Sequence, residues 1–330
     1  MKKNIILSTL LIFSVLLFSS CGDSKSSLPE KIDLSYKFEK GAKFQYKLTT
    51  TQTSEEQIQA DSTINVSSKQ SDSFVMDFEV IDIDADKIAE MNVTITSIKV
   101  EIDANGEKMN FDTAKNPSKE EQQKFWQYAM QYSTPFRARI TSKGEVIEIS
   151  RLDKMIDKMN SLQPQQRELQ PAERAKLSQD LSEGIIRPIT QLVFREFPQK
   201  QVAKDSVWEK NYPGQLSVFQ IKNNAKFKVE DIVEIDGDNA AKINVDLSVT
   251  WEGEKKGEQQ GLKYSFEDPK VSGSGSILFN IDNGMIAKSE TLTTVELVAH
   301  LEGKDAMQKT LKTTRKDLSS NKNVVELISK

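Results

Sequence analysis

The chain has 330 residues, with 45 Lys and Arg against 49 Asp and Glu and a formal net charge of −4. That balance gives a mildly acidic surface with no basic field, which argues against nucleic acid as a partner. One cysteine excludes an intramolecular disulfide and one histidine excludes a His-rich zinc site.

The first 20 residues predict a lipoprotein signal peptide. Met1-Lys-Lys is a basic start, residues 5–18 are an apolar run, and Ser19-Ser20-Cys21 closes it with small residues. The placement of the one cysteine predicts cleavage before Cys21 and a diacylglycerol (with a palmitate-type acyl chain) on its thiol, the protein's attachment to a membrane. Residues 21–35 are polar, small and Pro-containing, which predicts a flexible tether. No other apolar run approaches membrane-spanning length.

Residues 36–150 predict a first β half. Phe44, Tyr46 and Leu48 alternate with polar residues, as do Phe74, Met76, Phe78 and Val80. The alternation changes parity at Val80-Ile81, which predicts a bulge or bend there, and changes again by Ile98. Asn105-Gly106 is the favoured pair for a type I′ turn. Gly144 centres a further hairpin. Within this half, Ser118 and Glu121 form a capping box for a helix at about 118–132.

Residues 151–197 predict a helical segment. Leu152, Met155, Ile156, Met159 and Leu162 recur at helical spacing, and Pro171 suits the first turn of the next helix. Residues 198–330 predict a second β half. It includes a long alternation from Ala241 to Trp251, a turn at Asn283-Gly284 and long strands at 286–301 and about 308–318. The last dozen residues give no clear pattern.

One stretch occurs twice. I-D-I-D-A-D-K-I-A-E-M-N-V-T-I-T at 81–96 aligns without a gap with V-E-I-D-G-D-N-A-A-K-I-N-V-D-L-S at 233–248. Two copies far apart suggest a duplicated β unit. The expected fold is therefore α+β and β-rich: two related antiparallel β-meander halves, curved or half-barrel-like sheets, flanking the mid-chain helical segment.

The lipobox Phe18-Ser-Ser-Cys21, the strand Lys40-Gly41…Phe44…Tyr46, and Phe197-Pro198 followed by Val202 and Trp208 give a resemblance. Together they resemble an uncharacterised family of secreted Bacteroidota lipoproteins. Phe18 stands where Leu is usual in the lipobox, and Asp205 where such proteins often have Gly. The resemblance implies an envelope protein over nearly the whole chain and offers no catalytic residues. Gly22 after the cysteine favours the outer membrane, facing the periplasm or the cell surface.

Site-level signals are few. His300, near a strand end, lacks the partners that nucleophilic catalysis needs, and no cofactor is expected. Alternate acids at Asp82, Asp84 and Asp86, and at Glu234, Asp236 and Asp238, have the spacing of Ca²⁺ ligands without the rest of the EF-hand pattern; turn-making is the simpler role. Asp61-Ser62-Thr63, Asp112-Thr113-Ala114 and Asp205-Ser206-Val207 match a short O-glycosylation pattern. Phe125, Trp126, Tyr128, Met130, Met155 and Met159 are candidates to line an adaptable apolar pocket, with core packing as the plainer alternative. The expected function is a non-enzymatic, lipid-anchored envelope protein, structural or binding, with an envelope protein or a hydrophobic ligand as partner. Its alternatives are a carrier of an acyl chain between helices and sheet, and a carboxylate-dependent hydrolase.

Overall fold

A computed structural model describes residues 29–330 apart from 165, 217–218, 236, 260–261 and 305–309. The predicted signal peptide and Cys21 lie outside the described residues. The strands are β1 (Lys43–Gln59), β2 (Thr63–Ile83), β3 (Ala89–Ala104), β4 (Glu107–Asp112), β5 (Phe136–Ile140), β6 (Val146–Ser150), β7 (Val207–Leu216), β8 (Phe219–Ile235), β9 (Asp238–Glu252), β10 (Lys256–Gln259), β11 (Leu262–Phe266), β12 (Lys270–Asn280), β13 (Met285–Lys304) and β14 (Thr310–Ser329). The helices are α1 (Lys119–Lys124), α2 (Trp126–Ala129), α3 (Asp153–Leu162), α4 (Pro171–Leu181) and α5 (Arg187–Val193).

The fold is β-rich, with one large open antiparallel sheet and few helices. Its order is β6-β5-β3-β2-β1-β14-β13-β12-β9-β8-β7, with β4 beside β3 and the β10–β11 hairpin beside β13. Strands before and after the helical segment share this one sheet. They meet where β1 pairs with β14, from Gln45↔Ser329 to Gln59↔Thr314. The unpatterned last dozen residues are thus the seam of the sheet. Tyr46 faces Leu327 and Leu48 faces Val325 across it.

Several turns follow from their residues. Asn105 and Gly106 both take positive φ, 53° and 88°, as a type I′ turn requires. The expected bulge occurs between Val80 and Asp82, and a second register shift, between Val75 and Met76 opposite Ser97 and Ile95, accounts for the change of parity before Ile98. At Asn283-Gly284 only Gly284 has positive φ, and the hairpin closes over a longer turn, Asn280↔Met285. The polar, glycine-punctuated stretch 252–261 contains the whole of β10.

The duplicated stretch forms a hairpin in each place, but the gapless alignment does not follow the strand register. The first hairpin closes Ile83 on Ala89 and the second closes Ile235 on Asp238. The longer first turn puts the outgoing strands out of step. Val80 opposite Met91 corresponds to Val229 opposite Ile243, and each is followed by a bulge.

Residues directly opposite one another in an antiparallel pair share a face. One face gathers Phe44, Tyr46, Leu48, Phe74, Met76, Phe78, Met91, Val93, Ile95, Phe227, Ile243, Ile277, Phe279 and Val325, all buried. The helices pack on this inner face. The predicted tether also ends earlier than expected. Ile32 and Leu34 are buried, and Ile32 exchanges backbone hydrogen bonds of 2.8 and 2.9 Å with Val202. This segment is too short for its periodicity to show in sequence.

The helices break where their residues demand it. Phe125, at φ −109° and ψ 38°, separates α1 from α2. Residues Ser182–Ile186 form a π-helical turn between α4 and α5. Pro188 has no N–H to give the carbonyl four residues back, so the regular ladder cannot continue through it. The Arg187 N–H instead reaches the Ser182 carbonyl.

Candidate functional site

The aromatic and methionine residues singled out from sequence lie in the core between helices and sheet. Phe125, Met130 and Met155 are buried, and Trp126, Tyr128 and Met159 pack partly buried against them. Phe125 stacks on Phe111 at 5.4 Å and Tyr128 on Phe74 at 6.3 Å. The Tyr128 hydroxyl donates to Asp72 at 3.1 Å and accepts from the Gln70 amide at 2.7 Å. Burial pushes the Asp72 carboxyl above its usual range, against the hydrogen bonds from Gln70 and Tyr128.

The acidic turn has structural work. Asp84 accepts from the N–H groups of Asp86 and Ile88 at 3.0 and 2.9 Å and pairs with Arg139 at 3.1 Å. Among the described residues no group of three or more His, Cys, Asp or Glu could hold a metal ion. His300 is exposed, 3.1 Å from Thr314 and 3.3 Å from Glu267. Of the glycosylation matches, Ser62 and Thr63 are exposed at the β1–β2 turn. Thr113 is buried, its hydroxyl bonded to both the N–H and the carbonyl of Ile98.

A different region holds the apolar hollow. A cavity of about 310 Å³ opens on the inner face where α5 meets the later strands. Leu192 borders it from α5. Ala225, Phe227, Val245, Leu247, Ile277 and Thr293 supply β8, β9, β12 and β13 side chains. On β12, Gly273 and Gly275 present no side chain to this face. A Cβ on Gly273 would meet Leu247 at 2.8 Å, and one on Gly275 the Glu290 carbonyl at 2.5 Å. Those glycines let β12 pack closely against β9 and β13 beside the cavity. A larger hollow of about 760 Å³ is instead lined by charged residues such as Lys256, Lys263, Glu302 and Lys312.

Besides the small polar Asn, Ser and Thr residues of the strands, two larger polar residues enter this lining, Arg195 and Tyr212. Arg195 follows α5 in the run Phe194-Arg195-Glu196-Phe197-Pro198. Its backbone is clamped by Tyr36, whose hydroxyl accepts from the Arg195 N–H at 2.8 Å and donates to the Arg195 carbonyl at 3.3 Å. Tyr36 is itself held among Phe38, Phe194, Phe197 and Phe279. The β5–β6 turn closes from the other side. The Lys143 carbonyl accepts from the Phe197 N–H at 2.8 Å, and the Gln191 amide donates to the Gly144 carbonyl at 2.9 Å. Gly144 has φ +87°, and a Cβ there would fall 2.2 Å from the Arg195 carbonyl oxygen. Only glycine fits this approach.

The side chain of Arg195 is less well served. The residue keeps some surface, but Nε and Nη2 are sealed from solvent and have no hydrogen-bond partner. Among the described residues it makes no ion pair. The neighbouring carboxylate, Glu196, is committed to Lys210 at 2.9 Å. Burial lowers the guanidinium's pKa from its ordinary value, and the phenols of Tyr36 and Tyr212 offset this only in part. Burial first, and then Glu196, push the Tyr212 phenol up to about 12. Reading the sequence alone misses this pair. Its one local sign is a charged dipeptide set between two aromatic residues.

No curated protein matches the chain. Among solved structures, one of lipovitellin, described as lipid–protein interactions in lipovitellin, aligns at 11% identity and a TM-score of 0.43. The alignment covers 88% of this chain and 25% of that one, so the chain spans a quarter of lipovitellin's length. The Pseudomonas aeruginosa protein OpdK, solved with vanillate, aligns at 6% identity and a TM-score of 0.16 over 84% of this chain and 98% of its own. Neither likeness is close enough to carry an argument about fold or ligand. DUF6263, a family of unknown function, matches residues 86–286, more than half of the sequence, and the chain belongs to that family.

Proposed function

We propose that this protein is a non-enzymatic binding module of the bacterial envelope that takes a hydrophobic ligand on the inner face of its sheet. The observation that carries this reading is the apolar cavity beside α5, floored by strands. Beyond it the same face continues with Val249, Trp251, Val271 and Val295, half-buried along β9, β12 and β13. A cavity of about 310 Å³ falls at the lower end of small-ligand pockets, roughly 300–1,000 Å³, and suits a single chain better than a two-chain lipid. The ligand site differs from the aromatic and methionine set picked out by helical spacing, which serves the core. Attachment through a lipid on Cys21, to the outer membrane, would place this face within reach of membrane-derived molecules.

The test is displacement of the neutral fluorophore N-phenyl-1-naphthylamine by dodecanol. Saturable binding is expected in the purified protein. Thr293→Trp, which fills the cavity from β13, is expected to weaken it roughly tenfold or more, as loss of a buried apolar contact of this size implies. Unsaturable binding, or binding unchanged by Thr293→Trp, would refute the reading.

A further inference from the structure

The buried guanidinium beside the cavity has no role in an apolar site. A sealed, unpartnered charge is costly, and such groups in native proteins require an explanation. An arginine just past a helix C-terminus ordinarily serves the last carbonyls. Here Nε and Nη2 bond to nothing. Arg137 offers a contrast: its shielded Nη1 stands 3.4 Å from the Glu90 carboxylate. Arg195 has no such neighbour, because Glu196 pairs with Lys210. The surrounding structure nevertheless holds Arg195 in place from both sides, through the Tyr36 hydroxyl and the close approach at Gly144. A rigid backbone holding an unpaired guanidinium on the lining of the cavity, with Nη1 outside the sealed set, is the arrangement of a recognition group.

We propose that the cavity takes the anionic head of a single-chain amphiphile, a carboxylate or phosphate monoester, with Arg195 as its charge partner and the floor around Phe227, Val245 and Ile277 receiving the start of the chain. This rests on the reading of the inner face as a hydrophobic site and names the chemistry of its ligand. With Nε and Nη2 sealed, Nη1 is the guanidinium nitrogen left to reach an oxyanion in the hollow, as one charge-assisted hydrogen bond, and Tyr212 lines the same hollow as a further polar group. A head group without charge would leave the guanidinium desolvated and unpaired, so the site should discriminate against it.

The purified full chain, loaded with N-phenyl-1-naphthylamine, is titrated with laurate and with dodecanol, which share a chain and differ at the head. Laurate is expected to displace the probe at a concentration roughly tenfold or more below dodecanol, the margin of a charge-assisted hydrogen bond. Arg195→Met is expected to erase that preference, weakening laurate and leaving dodecanol no weaker than in the parent protein. Arg195→Gln gives the same test if the methionine variant does not fold, as judged by its thermal transition. Equal displacement by the two ligands in the parent protein, or a preference that survives both substitutions, overturns the head-group assignment while leaving the hydrophobic site standing. Failure of the probe and of both ligands to bind overturns the hydrophobic reading and this one with it. Calorimetry with inorganic phosphate separates the sources: Arg195-dependent phosphate binding without laurate binding would make the ligand a free anion and overturn the amphiphile.

Discussion

Single residues set the position of Arg195. Gly144 and Gly106 share a left-handed backbone, φ +87° and +88°, but a Cβ on Gly106 meets nothing within 4 Å. Gly106→Ala is therefore expected to cost about 1 kcal/mol, from conformation alone. Gly144→Ala adds a backbone clash and is expected to cost about 2–3 kcal/mol or more. Urea midpoints of the two variants measure the difference, and equal losses would show that the contact with Arg195 is not tight. Tyr36→Phe leaves the Arg195 N–H without its 2.8 Å partner, with an expected loss of about 1–3 kcal/mol by the same measurement. Asp72 carries a pH prediction. Its folded pKa is raised, so its stabilising contribution is complete below the ordinary aspartate value and is lost as pH rises through the raised one. Asp72→Asn should flatten the stability profile from the ordinary aspartate range upward, where the carboxyl ionises. A profile parallel to that of the parent would count against a raised pKa.

At the scale of elements, alternation and turn chemistry are readable from sequence and pairing is not. The type I′ turn at Asn105-Gly106 and the bulges after Val80 and Val75 follow from residues within a few positions of one another. The repeated hairpin is recognisable by composition, yet its register is out of step, because turn length is set by backbone geometry and not by side-chain likeness. The end of β14 is unreadable for a related reason. Ser319-Ser-Asn-Lys-Asn mixes polar residues without alternation, and their partners lie far away on β1 and β13. Val325, fully buried between Leu48 and Ser289, should reveal this seam. Val325→Ala is expected to destabilise by about 2 kcal/mol, the transfer of two methyl groups plus a cavity. A loss near zero in chemical denaturation would mean that the β1–β14 pairing is weak.

At the scale of the whole molecule, the open sheet has helices over its earlier strands, while much of the inner face of its later strands is shaded without a helical layer. α5 packs against β1, β6 and β14, and the cavity begins at its edge. The proposed binding surface rests on this asymmetry. Attachment has its own test. Cys21→Ala is expected to abolish labelling by a fatty-acid probe and to leave the precursor unprocessed or the protein released from membranes. Labelling that persists would refute Cys21 as the lipidated residue.

The sequence by itself determined the β-rich class, the positions of the helices, most turns and bulges, and the absence of a disulfide. These depend on spacing along the chain, and local backbone preferences act over a few residues. Only the tertiary structure decided that strands before and after the helical segment share one sheet, that Ile32 and Leu34 belong to the fold, and that Arg195 stands unpaired in an apolar hollow. The lining of that hollow comes from α5 and from strands β7 to β9 and β12 to β14, with partners more than a hundred residues apart. Such convergence is produced by long-range strand pairing, and no local pattern encodes it.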